Sequence, residues 1–165
     1  HDGHQIMKKL HFSSMAILFA LFAMVSFTAC SSDDDETPST EDIKTNIVGM
    51  WQCTHISGWG YDDTDEENMI KVDQDIPEAE SFRMLFKGDG TCKEYDYYSE
   101  PYDGWDLAYT YKYEVSGNKI ILYDSHGDID GTANVLSIKG DVAIFEVTLE
   151  EGPQYKQRQT YKRVY

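Results

Sequence analysis

Basic residues, histidine and cysteine are scarce in this chain of 165 residues. It contains 14 lysines and arginines against 30 acidic residues, five histidines and three cysteines, and its formal net charge is −16. That charge argues against a nucleic acid partner, because the phosphate backbone attracts lysine and arginine. There is no Ser-His-Asp order, nucleophile elbow, phosphate-binding glycine loop or zinc spacing, so we predict no enzymatic activity and no cofactor.

Long apolar runs are also absent, with one exception at residues 15–27. This run is too short for a permanent membrane helix, which needs about 20 residues. It follows the basic start Met-Lys-Lys at residues 7–9 and ends in small residues directly before Cys30. That order is typical of a cleaved export signal, here residues 7–29. Residues 1–6 carry no pattern and are interpreted as a mis-set start or a non-native extension.

Residues 27–30, Phe-Thr-Ala-Cys, resemble the lipobox of bacterial lipoproteins, although most of those carry Leu in place of the Phe. The resemblance implies a lipid on Cys30 that anchors the mature chain to the outer membrane. Residues 31–36, Ser-Ser-Asp-Asp-Asp-Glu, resemble the surface-export signal of some Gram-negative lipoproteins, which favours the cell surface over the periplasmic face. The acidic run and the Pro, Ser and Thr after it predict a disordered tether over residues 30–44.

Residues 45–165 are predicted to form one all-β domain. Turn residues recur every ~8–12 residues between alternating runs, and no segment shows the helical period of about 3.6 residues. Gly-Asp-Gly at residues 88–90, Ser-Gly-Asn at 116–118 and Gly-Asp at 140–141 predict hairpin turns. About eight antiparallel strands joined in this way are typical of an up-and-down β-barrel, which has no open sheet edges. A β-sandwich is the alternative.

The boundaries of the predicted strands follow from the alternation and the turn residues. A carboxylate-rich segment at residues 61–68 is predicted to be a solvated loop, with a short strand after it at 69–72. A polar connection is predicted at residues 125–131. The main predicted strands cover residues 45–57, 81–87, 91–98, 107–115, 119–124, 133–139, 142–150 and 157–165.

A Gly-x-Trp motif, Gly49 to Trp51, stands near the start of the first strand, and the last strand contains basic residues. Together with the meander, these features resemble the lipocalin-like domains found in many bacterial lipoproteins. In lipocalins this tryptophan plugs the closed end of the barrel, and an arginine from the final strand packs across its ring. The resemblance implies Arg163 in that role, with Arg158 as the second choice. A guanidinium over an indole stabilises by ~0.5–2 kcal/mol.

Two kinds of function are compatible with such a barrel. A hollow barrel would bind a small amphipathic or apolar ligand, lined by the tyrosines that share a strand face with Leu107 and Val115. A filled barrel would be a structural or interaction protein whose loop aromatics contact a neighbouring surface protein or a glycan. The candidate ligand-binding residues are Tyr109, Tyr111, Tyr113, Phe145 and Trp59.

The remaining cysteines and one acidic stretch are the last candidates for chemistry. Cys53 and Cys92 either form a disulfide or remain two free, buried thiols. Asp124, Asp128 and Asp130 could converge on calcium in a turn. That stretch lacks the full EF-hand spacing, so a solvated loop is favoured and no metal site is predicted.

Overall fold

The structure is a computed structural model that describes residues 37–99 and 103–164. Residues 1–36 lie outside this range, and with them the predicted export signal, the lipid site at Cys30 and the acidic run at residues 31–36. These three features therefore stay predictions.

The described residues form one short helix and nine strands, which confirms the all-β prediction. No helix among them is long and apolar enough to cross a membrane. A 3-10 helix at Glu78–Glu80 lies between the second and third strands. The other elements are α1 (Thr40–Asn46), β1 (Gly49–Asp62), β2 (Asp65–Asp75), β3 (Phe82–Phe86), β4 (Thr91–Tyr98), β5 (Gly104–Ser116), β6 (Lys119–Tyr123), β7 (Ile129–Lys139), β8 (Val142–Thr148) and β9 (Lys156–Arg163).

The strands close into an antiparallel barrel. Strands β3 to β9 pair in sequence order, β3 pairs with residues 49–52 of β1, and β9 pairs back onto residues 51–58 of β1. In the described part of the chain, eight strands thus complete the barrel, as predicted. The ninth, β2, pairs with residues 55–62 of β1. Consequently β2 and β3 follow one another along the same edge of β1.

The predicted loop at residues 61–68 is wrong, because β1 and β2 form a long hairpin there. The turn at residues 63–64 is stabilised by Asp62, whose Oδ1 accepts hydrogen bonds from the backbone N and the hydroxyl of Thr64 at 3.0 and 2.9 Å. The residues of β2 are mostly exposed, so they need no apolar alternation. That is why the strand reads as a loop in the sequence.

The helix α1 occupies residues 40–44 of the predicted disordered tether and residues 45–46 of the predicted first strand. Ser39 caps its N-terminus by accepting a hydrogen bond from the Asp42 backbone N at 3.1 Å. Ile43 and, just after the helix, Ile47 are fully buried. The hydroxyl of Thr40 donates to the Gly117 carbonyl at 2.8 Å, which attaches the helix to the β5–β6 turn. The helix therefore covers the end of the barrel at which β1 begins.

At this covered end, Trp51 is fully buried and Arg163 lies over its ring, with 4.3 Å between the guanidinium carbon and the ring centroid. The indole Nε1 donates to the Ile47 carbonyl at 2.8 Å. The two Nη atoms of Arg163 donate to the carbonyls of Val48 and Asn46, each at 2.9 Å. One arginine thus joins the last strand, the indole and the segment that leaves α1.

Gly49 is required by this arrangement for two reasons. Its φ of +138° is a conformation that other residues rarely adopt. In addition, a Cβ at this position would lie 2.6 Å from Nη1 of Arg163. The glycine of the Gly-x-Trp motif therefore leaves room for the guanidinium group of Arg163.

Apolar side chains fill the barrel from the covered end to its middle. Phe145 and Phe82 pack against the ring of Tyr161, with centroid distances of 5.0 and 5.8 Å. Buried residues from every strand of the barrel surround them, including Met84, Phe86, Val115, Ile120, Leu122, Val135 and Ala143. This part of the lumen is a packed core.

Of the two alternatives for the cysteines, the structure has free thiols, because Cys53 and Cys92 are unbonded and fully buried. Cys53 follows Gln52, which pairs with Arg83 of β3, whereas Cys92 pairs with Phe86 of that strand. The cysteines therefore lie on opposite sides of β3 and about four residues apart along it, roughly 13 Å. A disulfide needs Cα atoms within about 7 Å.

We expect Arg163→Met to lower the free energy of unfolding by about 2–3 kcal/mol, because it removes a cation–π contact and two charged hydrogen bonds. Urea denaturation followed by tryptophan fluorescence measures the change. Arg158→Met is the matched control, since Arg158 lies exposed on the same strand. An equal loss of stability in both variants would contradict the assignment of Arg163.

We also expect both thiols to be inert in the folded domain. Burial raises the pKa of the Cys53 thiol to about 12 and that of Cys92 well above its ordinary value, and thiol reagents attack the thiolate. In a Cys30→Ala chain, Ellman's reagent at pH 8 should label neither cysteine until guanidinium unfolds the protein, and both afterwards. Rapid labelling of the native protein, or no free thiol after unfolding, would refute this.

Candidate ligand site at the open end of the barrel

The lumen changes character at the end opposite α1. Cys92, Glu94 and Asp96 alternate along β4 with side chains directed into the barrel, and all three are buried. The relative exposure is 0% for Glu94 and 5% for Asp96. Burial of ionisable groups is unfavourable unless they are paired or neutralised, so two carboxyl groups in the lumen require an explanation.

Glu94 is the most perturbed acid of this group. Burial, the negative charge of Asp96 and a hydrogen bond with Asp96 all raise the pKa of Glu94 well above its ordinary value, in that order of size. The hydroxyl of Tyr111 donates to Oε1 of Glu94 at 3.4 Å, which partly offsets the rise. The two neighbouring carboxyl groups therefore favour a state that retains a proton.

More acidic groups approach the same region from other strands. The charge of Asp130, which lies at a bulge in β7, acts on both Glu94 and Tyr109. The charge of Asp106 in β5 acts on Tyr98. The charges of carboxyl groups from three strands thus act on the open end of the lumen.

Tyrosine rings complete this wall. Tyr109 lies opposite Glu94 in the β4–β5 ladder, and its ring stacks on that of Tyr111 with centroids 6.0 Å apart and planes at 27°. Tyr109 is 49% exposed, whereas Tyr111 is buried. Burial, followed by the charges of Asp96 and then Asp106, raises the pKa of Tyr98. We call Glu94, Asp96, Tyr98, Tyr109 and Tyr111 the mouth cluster.

Facing amides on β9 form a separate polar chain. Tyr161 Oη donates to Gln159 Oε1 at 2.8 Å, and Gln159 Nε2 donates to Gln157 Oε1 at 2.9 Å. Gln157 Nε2 then donates to the Trp59 carbonyl at 3.1 Å. The amides of Gln157 and Gln159 are thus engaged in hydrogen bonds with other protein groups. The acidic and tyrosine side chains of β4 and β5 are therefore the distinctive chemical feature of the open end.

The predicted ligand-binding residues lie in several places. Tyr109 and Tyr111 belong to the mouth cluster, but Tyr113 lies towards the covered end. There its hydroxyl donates to the Lys87 carbonyl at 2.9 Å, and its ring meets that of Phe86 edge-on. Phe145 is part of the packed core. Of these four residues, Tyr109 is therefore the one exposed at the open end, and Tyr111 is buried beside it.

Trp59 is half-buried and packs against the edge of the hydrophobic core, beside the β1–β2 hairpin. A bulge at Thr54 shifts the β1–β9 register, so residues after it exchange faces. The Trp59 ring packs edge-on against Tyr155 at 4.9 Å, and the Lys71 ammonium lies 4.8 Å from its centroid. These contacts join the β1–β2 hairpin to the segment that precedes β9.

The prediction that Leu107 shares a face with the β5 tyrosines is also wrong. Glu94 pairs with Tyr109, but Tyr95 pairs with Leu107, so Ala108 forms a bulge. Leu107 consequently faces outwards and is 52% exposed. One inserted residue reverses the inside and outside of the strand end.

Asp124, Asp128 and Asp130 do not gather around a common point. Oδ1 of Asp124 accepts hydrogen bonds from the backbone N atoms of His126 and Asp128 at 2.9 and 3.0 Å, and these bonds lower the pKa of Asp124. The carboxylate therefore shapes its own turn, while Asp130 approaches the mouth cluster. Among the described residues, no three acidic, histidine or cysteine side chains form a group that could hold a metal ion.

Glu94 and Asp96 were missed by the sequence analysis. Their signal was available in the alternation of β4, where Cys92 marks the buried face and the two acids follow at spacings of two. Acidic residues are rarely assigned to a core, so the pattern reads as a half-exposed strand.

Comparison with known proteins gives the family. The sequence model of the lipocalin-like domain matches residues 47–142. Two similar solved structures are a biogenic amine-binding protein, solved as a selenomethionine derivative, and the tryptamine complex of the amine-binding protein of Rhodnius prolixus. Each is 16% identical with a TM-score of 0.40; 82% of this chain aligns with 72% and 71% of theirs, respectively. No curated protein sequence matches. The chain belongs to the family of lipocalin-like domains.

Proposed function

We propose that this lipocalin-like domain is a non-enzymatic binding protein that takes a small amphipathic ligand with a cationic group at the open end of its barrel. The observation that carries the proposal is the pair Glu94 and Asp96, buried side by side in the lumen beneath exposed tyrosine. The packed core leaves the open end, where Tyr109 is 49% exposed, as the part of the interior nearest to solvent.

A purely apolar ligand fits this end poorly. It would lie beside the buried Glu94 and Asp96 without offering either carboxyl group a hydrogen bond or an opposite charge, which is unfavourable in an interior that excludes water. An ammonium or guanidinium group would instead form charge-assisted hydrogen bonds with the carboxylates. The rings of Tyr98 and Tyr109 would contact its cationic and apolar parts.

Binding of a cation would be coupled to proton release. The raised pKa of Glu94 means that the free site favours a protonated carboxyl, whereas a bound cation favours the carboxylate. Affinity should therefore fall as the pH is lowered and rise as Glu94 loses its proton.

We further propose that a lipid on Cys30 attaches the domain to the outer membrane, facing outwards. The support is the lipobox-like sequence at residues 27–30 and the acidic residues after it. The ligand site lies at the end of the barrel opposite α1, and α1 leads towards the predicted tether. The open end would thus point away from the anchor.

A second candidate is a filled barrel that contacts a surface protein or a glycan. It is favoured by aromatic side chains on the outer face of β4 and β5. There, Tyr97 meets Trp105 edge-on at 5.1 Å, and the Arg83 guanidinium lies 4.1 Å above the Trp105 ring. Binding that depends on Trp105 but not on Glu94 would favour this second function.

The ligand class can be tested with 2-phenylethylamine and its uncharged counterpart 2-phenylethanol, using the Cys30→Ala chain and titration calorimetry. We expect only the amine to bind, with proton release revealed in two buffers of different ionisation enthalpy. A Glu94→Gln, Asp96→Asn double variant should weaken binding by about tenfold or more, through loss of charged hydrogen bonds.

The matched control is Glu41→Gln, which removes an exposed carboxylate from α1 at the covered end of the barrel. It should bind as the unaltered protein does. Thermal melting of each variant establishes that it is folded. Equal affinity for amine and alcohol, or full affinity in the double variant, would contradict the proposal.

Lipidation should be visible by labelling cells with a radioactive or clickable fatty acid. We expect label on the unaltered protein and none on Cys30→Ala, because the thiol is the attachment point. Protease treatment of intact cells should remove the domain from the unaltered protein. An unlabelled protein would refute the anchor, and a protected domain would refute the outward orientation.

A further inference from the structure

His55 lies between two carboxylates on the outer face of the barrel. Its Nδ1 is 2.8 Å from Oδ1 of Asp75, and its Nε2 is 2.7 Å from Oδ1 of Asp73. The histidine belongs to β1 and both aspartates to β2, with Asp75 directly opposite and Asp73 two residue pairs further along. This one imidazole therefore links the two strands at two points.

The geometry around His55 favours its protonated form. A neutral imidazole has one N–H donor and one acceptor nitrogen, whereas a carboxylate only accepts. Two carboxylates facing both nitrogens are satisfied together only by the imidazolium. The hydrogen bond to Asp75 first, and that to Asp73 second, raise the pKa of His55 above its ordinary value.

In the part of the chain that the structure describes, the strand that His55 contacts is held by a neighbouring strand on one side only. Among the described strands, β2 pairs with β1 alone, and most of its side chains are exposed. Its half-buried Val72 faces Gly60, whose missing Cβ would lie 3.0 Å from the valine methyl group. Val72 is on the face of the hairpin that continues the lumen wall. The position of β2 therefore determines one wall of the open end.

We propose that His55 is a pH-sensitive clasp that holds β2 against β1 and releases it when the imidazole loses its proton. Without the positive charge, Asp73 and Asp75 repel one another on the same face of β2, and one ring nitrogen faces an acceptor. The inference does not depend on which ligand the barrel binds.

The sign of the effect follows from the raised pKa. The clasp contributes its full stabilisation below the ordinary histidine pKa of about 6.5 and loses it as the pH rises through the higher pKa of the folded state. On the neighbouring strand β9, Thr160 lies opposite His55, and Arg158 and Lys162 flank Thr160 on the same face. Their positive charges oppose protonation, so the two aspartates must outweigh them.

Hydrogen exchange of the β2 amides tests the clasp in the folded protein. After correction for the intrinsic exchange rate, their protection should fall by about two- to fivefold between pH 6 and pH 9, as expected for partly exposed ion pairs. His55→Gln should show the low protection at both pH values. His126→Gln, in which the other histidine of the described domain is replaced, should behave as the unaltered protein does.

A second measurement keeps the test independent of any single variant. The His55 ring resonances should titrate with a midpoint above about 6.5, and the midpoint should fall in an Asp73→Asn, Asp75→Asn double variant. Protection of β2 that is independent of pH in the unaltered protein, or equally dependent on pH in His55→Gln, would overturn the proposal. So would an unchanged midpoint in the double variant.

Discussion

The pairing of β1 with β9 is the constraint on which the rest of the domain depends. It joins the first and last strands, so no neighbouring strands of the barrel are left with an open edge between them. The same pairing places Trp51 opposite Arg163, which allows the guanidinium to cover the indole and to bind the carbonyls that follow α1. The same strand pair therefore both closes the barrel and positions the residues that cover its end.

From that end the interior changes along the barrel axis. Aromatic and aliphatic side chains pack around Tyr161, whose hydroxyl begins the amide chain of β9. Beyond it, Glu94 and Asp96 replace apolar residues on the same face of β4 that buries Cys92. The packed part supplies stability, and the domain can consequently accommodate buried carboxyl groups that would be unfavourable in a smaller core. Rigid strands hold these groups in place, which is what a selective binding site needs.

The barrel class and most strand positions were predictable, because hairpin turns and alternation are local properties of the chain. The predicted strand at residues 91–98 coincides with β4, and Gly49, Trp51 and Arg163 meet where the family resemblance places them. Three features of the fold could not be predicted from the sequence. α1 is too short to show a helical period, β2 needs no apolar face, and the bulges at Thr54 and Ala108 change which later residues of β1 and which earlier residues of β5 face inwards. A bulge depends on the partner strand, so alternation within one strand cannot reveal it.

The tandem arrangement of β2 and β3 along one edge of β1 has an evolutionary consequence. Residues 49–58 of β1 fix the register of the barrel through their pairing with β3 and β9. The β1–β2 hairpin extends beyond them at the open end and is joined to β3 through the 3-10 helix. Adding or removing matched residue pairs at the hairpin tip would alter the height of one rim without shifting any other strand. Related proteins can therefore differ in the depth of the barrel opening while keeping the same strand register. The hairpin tip is the segment in which such a change disturbs the other strands least.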